Sequence, residues 1–153
     1  MILPVVAFGD PVLREVGIDI SKDFDGLPKL IENMWETMYG AEGVGLAAPQ
    51  IGKSIRLFVI DASPFAEDEP GLEGFKKVFI NAEILEETGE EWAFKEGCLS
   101  IPGLRDNVKR QETIKIKYFD EQFKEHIEEY SGFAARVIQH EYDHINGILF
   151  TDK

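Results

Sequence analysis

The most constraining feature of this sequence is a His-Glu-x-x-His pattern near its C-terminal end, formed by His140, Glu141 and His144. The pattern lies in SGFAARVIQHEYDHING, which is predicted to be a helix because a serine can cap its start and Asn-Gly can stop it. Residues four apart lie on one face of a helix, about 5–6 Å apart at Cβ, so both imidazoles can bind one metal ion. The alternative is a pair of core histidines with no ligand.

A catalytic site of this kind needs a third protein ligand and an open coordination position. The stretch after His144, INGILFTDK, contains no histidine or cysteine, so we expect the ligand to come from upstream. Cys98, in KEGCLSIPG, is the best candidate because a thiolate binds divalent transition metals strongly, although a lone cysteine is usually a small buried hydrophobe. His126 is the rival ligand, but strand alternation predicts that it faces solvent.

These ligands predict a hydrolase. A divalent ion lowers the pKa of a water molecule and polarises a carbonyl group. Glu141, beside the two histidines, can take the proton of that water and pass it to a leaving amine.

A second helix is predicted in DGLPKLIENMWETMYGAEG, where apolar residues recur at spacings of three and four. These residues are Leu27, Leu30, Ile31, Met34 and Met38. Pro28 suits the first turn of this helix, and Gly40 or Gly43 suits its end.

Strands are predicted where β-branched and aromatic residues cluster or alternate, at residues 54–61, 76–84 and 113–119. DEQF, which follows the third strand, is predicted to be a hairpin turn. The order of helix, strands and helix lacks the alternation that builds a parallel sheet, so it indicates the α+β class. We expect residues 1–153 to form a single domain.

The composition limits the possible functions. The net charge of −13 argues against nucleic-acid binding, because such a surface repels phosphate backbones. The chain has one cysteine, no apolar run long enough for a membrane span and no signal peptide, so we expect a cytoplasmic protein. The acidic stretches AEDEP and EILEETGEEW are expected on solvated loops or strand edges.

The stretch GVGLAAPQIGK, residues 43–53, resembles a nucleotide-binding loop only weakly, because it follows a helix and leads to a strand. It is either a tight turn or a place where glycine lets another backbone come close. Gln50 offers a neutral amide donor for an oxyanion, or it is a surface residue.

Three motifs, GVGLAAPQIG, EGCLS and QHEYDH, occur in that order, and together with GDPVLRE they closely resemble the peptide deformylases over nearly the whole chain. The resemblance implies an α+β fold with antiparallel β-sheets around a central metal-binding C-terminal helix. It implies removal of the formyl group from N-terminal formylmethionine of nascent proteins. Cys98, His140 and His144 would bind the metal, usually Fe²⁺ with Zn²⁺, Ni²⁺ or Co²⁺ as replacements, and Glu141 would be general base and acid.

The resemblance also implies how the substrate is held. Gln50 and the backbone N–H of Leu99 would stabilise the oxyanion, and an extended peptide would pair with backbone near Val44 and Gly45. Gly97 is expected to contact the substrate too. The partners would be formylmethionyl peptides, and we expect a monomer that binds neither nucleic acid nor membrane.

The helix spacing adds two candidates of its own. Phe133 and Val137 lie seven and three residues before His140, so we expect them on the metal-facing side as part of a methionine pocket; plain core packing is the alternative. We also predict an ion pair between Arg110 and Asp143. The loop at residues 62–75 is longer than in the shortest members of the family.

Two other functions fit the motifs. A general metallopeptidase would cleave unformylated peptides, and a non-catalytic metal-binding protein would turn over neither kind of substrate.

Overall fold

The structure is a computed structural model that describes residues 2–7, 9–67, 69–98 and 101–149. The side chains of Pro70, Cys98 and residues 101–106 lie outside this description. The helices and strands are α1 (Leu27–Gly40), β1 (Gly45–Ala47), β2 (Leu57–Asp61), β3 (Lys76–Cys98), β4 (Ile101–Phe119), β5 (Glu125–Ser131) and α2 (Gly132–Ile145). Short 3₁₀ helices lie at Pro11–Arg14, Ala48–Ile51, Ser63–Phe65 and Pro70–Leu72.

The strands form one antiparallel sheet in the order β1-β2-β3-β4-β5, in which every strand pairs with the next along the chain. The predicted α+β class is therefore confirmed, and the strands join into a continuous sheet. Within the described residues, neither helix has the length and apolar character that a membrane crossing would need.

All three predicted strands have the wrong bounds, and the third, predicted at residues 113–119, begins at Ile101 as β4. β3 continues to Cys98 instead of ending near residue 84, because the acidic stretch that we expected on loops or strand edges pairs with β4. Glu83 lies opposite Lys117 and Glu86 opposite Lys115, and such opposite-charge pairs stabilise a ladder. β2 is shorter than predicted and begins at Leu57.

Each face of the sheet is covered by one helix. The buried apolar residues of α1 pack with Leu57 and Val59 of β2, whereas those of α2 pack with Phe58 and Ile60. Alternate side chains of β2 therefore point into two different cores. This double burial explains why the strand is a continuous apolar run in the sequence.

Both predicted helices are present. The α1 residues that recur at helical spacing are all buried, and Pro28 lies in its first turn. Ser131 occupies the N-cap position of α2, but its side chain makes no capping hydrogen bond. The Oγ of Ser131 instead lies 3.0 Å from Oγ1 of Thr113 on the neighbouring strand.

The C-terminal end of α2 is tied to the rest of the molecule. Arg56 donates hydrogen bonds from Nη1 to Oδ1 of Asn146 and from Nη2 to the carbonyl of Ala82, both at 2.9 Å. Gly147 follows the helix with a φ of +75°, and a Cβ added there would lie 2.5 Å from the backbone oxygen of Arg14. These contacts fix the end of the helix that carries His144.

The contact at Gly147 gives a stability prediction. We expect Gly147→Ala to lower the free energy of unfolding by at least about 2 kcal/mol, because it combines an unfavourable left-handed φ with a backbone clash. Gly52→Ala is the control, since Gly52 has a φ of +83° but open space around its Cβ position, and we expect a cost of about 1 kcal/mol. Urea unfolding of both variants measures the difference, and equal costs would show that the contact with Arg14 is unimportant.

Candidate metal centre

The His-Glu-x-x-His residues come together as their spacing predicts. One ligand atom from each of His140, Glu141 and His144 lies within 4.8 Å of the others. The two imidazole rings are 5.0 Å apart at their centroids and nearly perpendicular. Burial lowers the pKa of His144 well below its usual value, so this imidazole is neutral, which is the form that binds metals.

A buried carboxylate, Glu96 on β3, organises the centre. It accepts hydrogen bonds from Nε and Nη2 of Arg110 at 2.7 and 2.9 Å, from Nη1 of Arg136, and from Nδ1 of His140 at 2.9 Å. Burial alone would raise the pKa of Glu96, but the hydrogen bonds from His140 and Arg110 outweigh it and lower the pKa to about 2. The carboxylate is therefore ionised, and it orients the His140 ring so that Nε2 is the nitrogen available to a metal.

The predicted ion pair between Arg110 and Asp143 is confirmed. Nη1 of Arg110 donates to Oδ2 of Asp143 at 2.8 Å, while the rest of the guanidinium binds Glu96. One arginine on β4 thus holds a carboxylate of β3 and a carboxylate of α2. All three side chains are buried or nearly so, which makes the pairing strong and its loss costly.

Arg136 is a residue of the centre that sequence reasoning missed. Besides Glu96, it donates to the backbone oxygens of Val108 and Trp92, and its guanidinium lies 4.2 Å from the centroid of the Trp92 ring. The available signal was a charged residue inside the apolar run FAARVI, next to fully buried Ala135. Glu96 was missed as well, although a glutamate two residues before the candidate ligand Cys98 was visible in the sequence.

The general-base candidate Glu141 lies against the backbone of β1. A Cβ added at Gly45 would be 2.6 Å from Oε2 of Glu141, so only glycine leaves room for this carboxylate. Its Oε1 makes no hydrogen bond with the residues that the structure describes. Burial raises the pKa of Glu141 to about 7, partly opposed by the charge of His140, so the group can exchange a proton near neutral pH.

Gln50 lies in the 3₁₀ helix Ala48–Ile51, which contacts α2, and it is buried. Its Oε1 accepts a hydrogen bond from the backbone N–H of Ala47 at 3.0 Å. The amide oxygen is therefore directed to Ala47, and the NH₂ group is the end that can donate. Because Gln50 is buried, the alternative that it is a surface residue is wrong.

The remaining candidates for substrate binding lie next to β1, on α2 and on β3. Val44, Phe133 and Val137 are half-buried and pack against the core beneath α2. Gly97 pairs through β3 with Arg105 of β4.

Two candidates cannot be placed in full. The backbone of Cys98 pairs with Ile101 at the end of β3, but its side chain lies outside the description. Leu99 lies outside the described residues altogether.

The rival ligand His126 is half-buried, not solvent-facing as we expected. Its Nε2 lies 2.8 Å from Oδ2 of Asp120, and its ring stacks on Tyr118. It is not part of the group that unites His140 and His144. The side chains at that group, two imidazoles with one oriented by a buried carboxylate, fit a divalent transition metal.

Comparisons with known proteins agree with this geometry. The family model described as polypeptide deformylase matches residues 2–153. A peptide deformylase of Christiangramia forsetii is 61% identical and is matched over all of this chain and 82% of its own length.

Solved structures are similar over nearly the whole chain. The peptide deformylase of Thermotoga maritima is 42% identical with a TM-score of 0.90, covering 100% of this chain and 97% of that one. A class I type b peptide deformylase of Acinetobacter baumannii, bound to Met-Ala-Ser, is 36% identical with a TM-score of 0.89, covering 99% and 98%. With the His-Glu-x-x-His geometry in place, these matches show that the chain belongs to the polypeptide deformylase family and is a peptide deformylase-type enzyme.

Proposed function

We propose that residues 1–153 form one catalytic domain that hydrolyses the N-formyl group of formylmethionine at the start of nascent proteins and releases formate. The observation that carries the proposal is the close group of His140, Glu141 and His144, with Glu141 against the glycine of β1. The Acinetobacter relative is solved with Met-Ala-Ser, the peptide that deformylation of formyl-Met-Ala-Ser would leave. In this proposal the partners are nascent formylated chains, and the protein acts as a cytoplasmic monomer.

The metal ligands in this proposal are Cys98, His140 and His144, and the ion in the cell is Fe²⁺, replaceable by Zn²⁺, Ni²⁺ or Co²⁺. The support for Cys98 is the position of its strand. Glu96, two residues earlier in β3, hydrogen-bonds directly to His140, so this part of β3 and the metal-binding face of α2 meet. A bound divalent ion would lower the pKa of a water molecule and polarise the formyl carbonyl.

The protein groups then perform the proton transfers. Glu141 takes a proton from the attacking water and delivers it to the amine that leaves, a role for which a pKa of about 7 is well matched. The NH₂ group of Gln50 and the backbone N–H of Leu99 donate to the oxyanion as the tetrahedral carbon forms.

The substrate is held by backbone and by apolar side chains. Its extended chain pairs with backbone at Val44, Gly45 and Gly97, as an added strand would. The methionine side chain lies against Val137 and Phe133, which are half-buried on the stripe of α2 that leads to His140.

Removing the carboxylate of Glu141 tests the mechanism. We expect Glu141→Gln to lower kcat for formate release from formyl-Met-Ala-Ser by about 10²–10⁴-fold, because the amide cannot accept the proton, while the metal content stays unchanged. Glu129→Gln, at an exposed glutamate of β5, is the control. A fully active Glu141→Gln enzyme would mean that another group is the base, and activity of the wild type on unformylated peptides alone would indicate a general metallopeptidase.

Crowding the general base tests the role of its glycine neighbour. Gly45→Ala places a methyl carbon 2.6 Å from Oε2 of Glu141, too close for the carboxylate to keep its position, so we expect kcat to fall about 100-fold with the metal still bound. Gly71→Ala serves as the control because no atom lies within 4 Å of its Cβ position. Undiminished turnover in Gly45→Ala would show that the carboxylate does not act from the position seen here.

Neutralising Glu96 tests the support of His140. In Glu96→Gln two buried guanidinium groups lose their shared anion, so we expect a loss of about 3–5 kcal/mol in unfolding free energy. Metal affinity, measured by chelator competition, should fall about 10–100-fold. Glu87→Gln changes an exposed glutamate of the same strand that lies opposite Ile114, and it should alter neither quantity; unchanged metal affinity in Glu96→Gln would remove Glu96 from the metal centre.

A further inference from the structure

Three phenylalanines from distant parts of the chain form an aromatic wall beside α2. The centroid of the Phe65 ring, in the 3₁₀ helix Ser63–Phe65, lies 4.5 Å from the centroid of the Phe133 ring at the start of α2. The centroid of the Phe133 ring also lies 5.6 Å from that of Phe94 on β3, in an edge-to-face arrangement. Phe133 thus contacts both the loop at residues 62–75 and the strand that leads to Cys98. We call Phe65, Phe94 and Phe133 the aromatic wall.

The aromatic wall is not sealed inside the protein. Phe94 is 40% exposed, and both Phe65 and Phe133 are only half-buried. Val137 continues the apolar surface along α2 towards His140, because residues at positions 133, 137 and 140 share one face of a helix. A partly exposed apolar surface that leads to a catalytic centre is suited to contact a substrate side chain.

The spacing of the wall matches the spacing of an extended peptide. With a rise of 1.5 Å per residue, Val137 lies about 4.5 Å and Phe133 about 10.5 Å from His140 along the helix axis. In an extended chain the first and third side chains point to the same side, about 6.7 Å apart. A peptide whose first side chain lies at the level of Val137 therefore has its third side chain near Phe133, beside Phe65.

We propose that Phe65 determines specificity by contacting the third residue of the formyl-Met peptide, and that it favours an apolar side chain there. The proposal rests on the proposed deformylase function. It also requires that the substrate chain runs along α2 from His140 towards the N-terminal end of the helix. It also gives the loop at residues 62–75 a role, because the loop brings Phe65 to the wall. The loop residue Glu67 is exposed and provides a matched position for a control.

The experiment compares formyl-Met-Ala-Leu with formyl-Met-Ala-Ser as substrates. We expect the wild type to have a kcat/KM about fivefold higher for the leucine peptide, because part of the leucine side chain is buried against the wall. In Phe65→Ala this preference should fall below twofold, with the change in KM and not in kcat. Phe65→Leu should keep most of the preference, and Glu67→Ala should keep all of it.

Each outcome decides the proposal. A Phe65→Ala enzyme that retains the wild-type preference would overturn it. A wild type without any preference for leucine would do the same, even if Phe65→Ala failed to fold. Formate release with no third-residue preference would reject this inference alone, whereas absence of formate release from either peptide would reject the proposed function itself.

Discussion

The buried carboxylate of Glu96 is the interaction on which the arrangement of this protein depends. It joins three elements, because its partners are Arg110 on β4 and Arg136 and His140 on α2, while Glu96 itself lies on β3. With Asp143 included, the network holds two carboxylates and two guanidinium groups, so its charges balance. A buried network of this kind adds little net stability compared with an apolar core, but the loss of any one member leaves an uncompensated charge.

The network also specifies geometry. Because Glu96 contacts the first histidine of the motif, α2 cannot slide or rotate against β3 without breaking several buried hydrogen bonds. Arg56 fixes the C-terminal end of α2 through Asn146. Both histidines are therefore held on a helix that is anchored along its length by the network and at its C-terminal end by Arg56, which is the preorganisation that a metal centre requires.

Local patterns in the sequence were sufficient for the helices and for the histidine pair. The apolar spacing from Leu27 to Met38 predicted α1, and the spacing of four predicted that His140 and His144 would meet. Local patterns were insufficient for Glu96 and Arg136, because these residues are forty positions apart and no periodicity marks a long-range ion pair. The same reason applies to Phe65, whose partner Phe133 belongs to a different element.

Local sequence patterns also could not predict the extent of β3. Glutamates have low strand propensity, and the pairing that stabilises them comes from lysines of β4, which a local window does not contain. That extension carries the strand to Glu96, so the part of the fold that was hardest to predict is the part that brings this carboxylate to His140 of α2.

X-ray absorption spectroscopy of the zinc-loaded protein, with Cys98→Ser as the comparison, tests directly whether a thiolate joins the two imidazoles at the metal. We expect one sulfur scatterer at about 2.3 Å and two imidazole nitrogens at about 2.0–2.1 Å in the wild type, with the sulfur lost in the variant. A wild-type spectrum with the two imidazoles but no sulfur would contradict the proposed Cys-His-His centre.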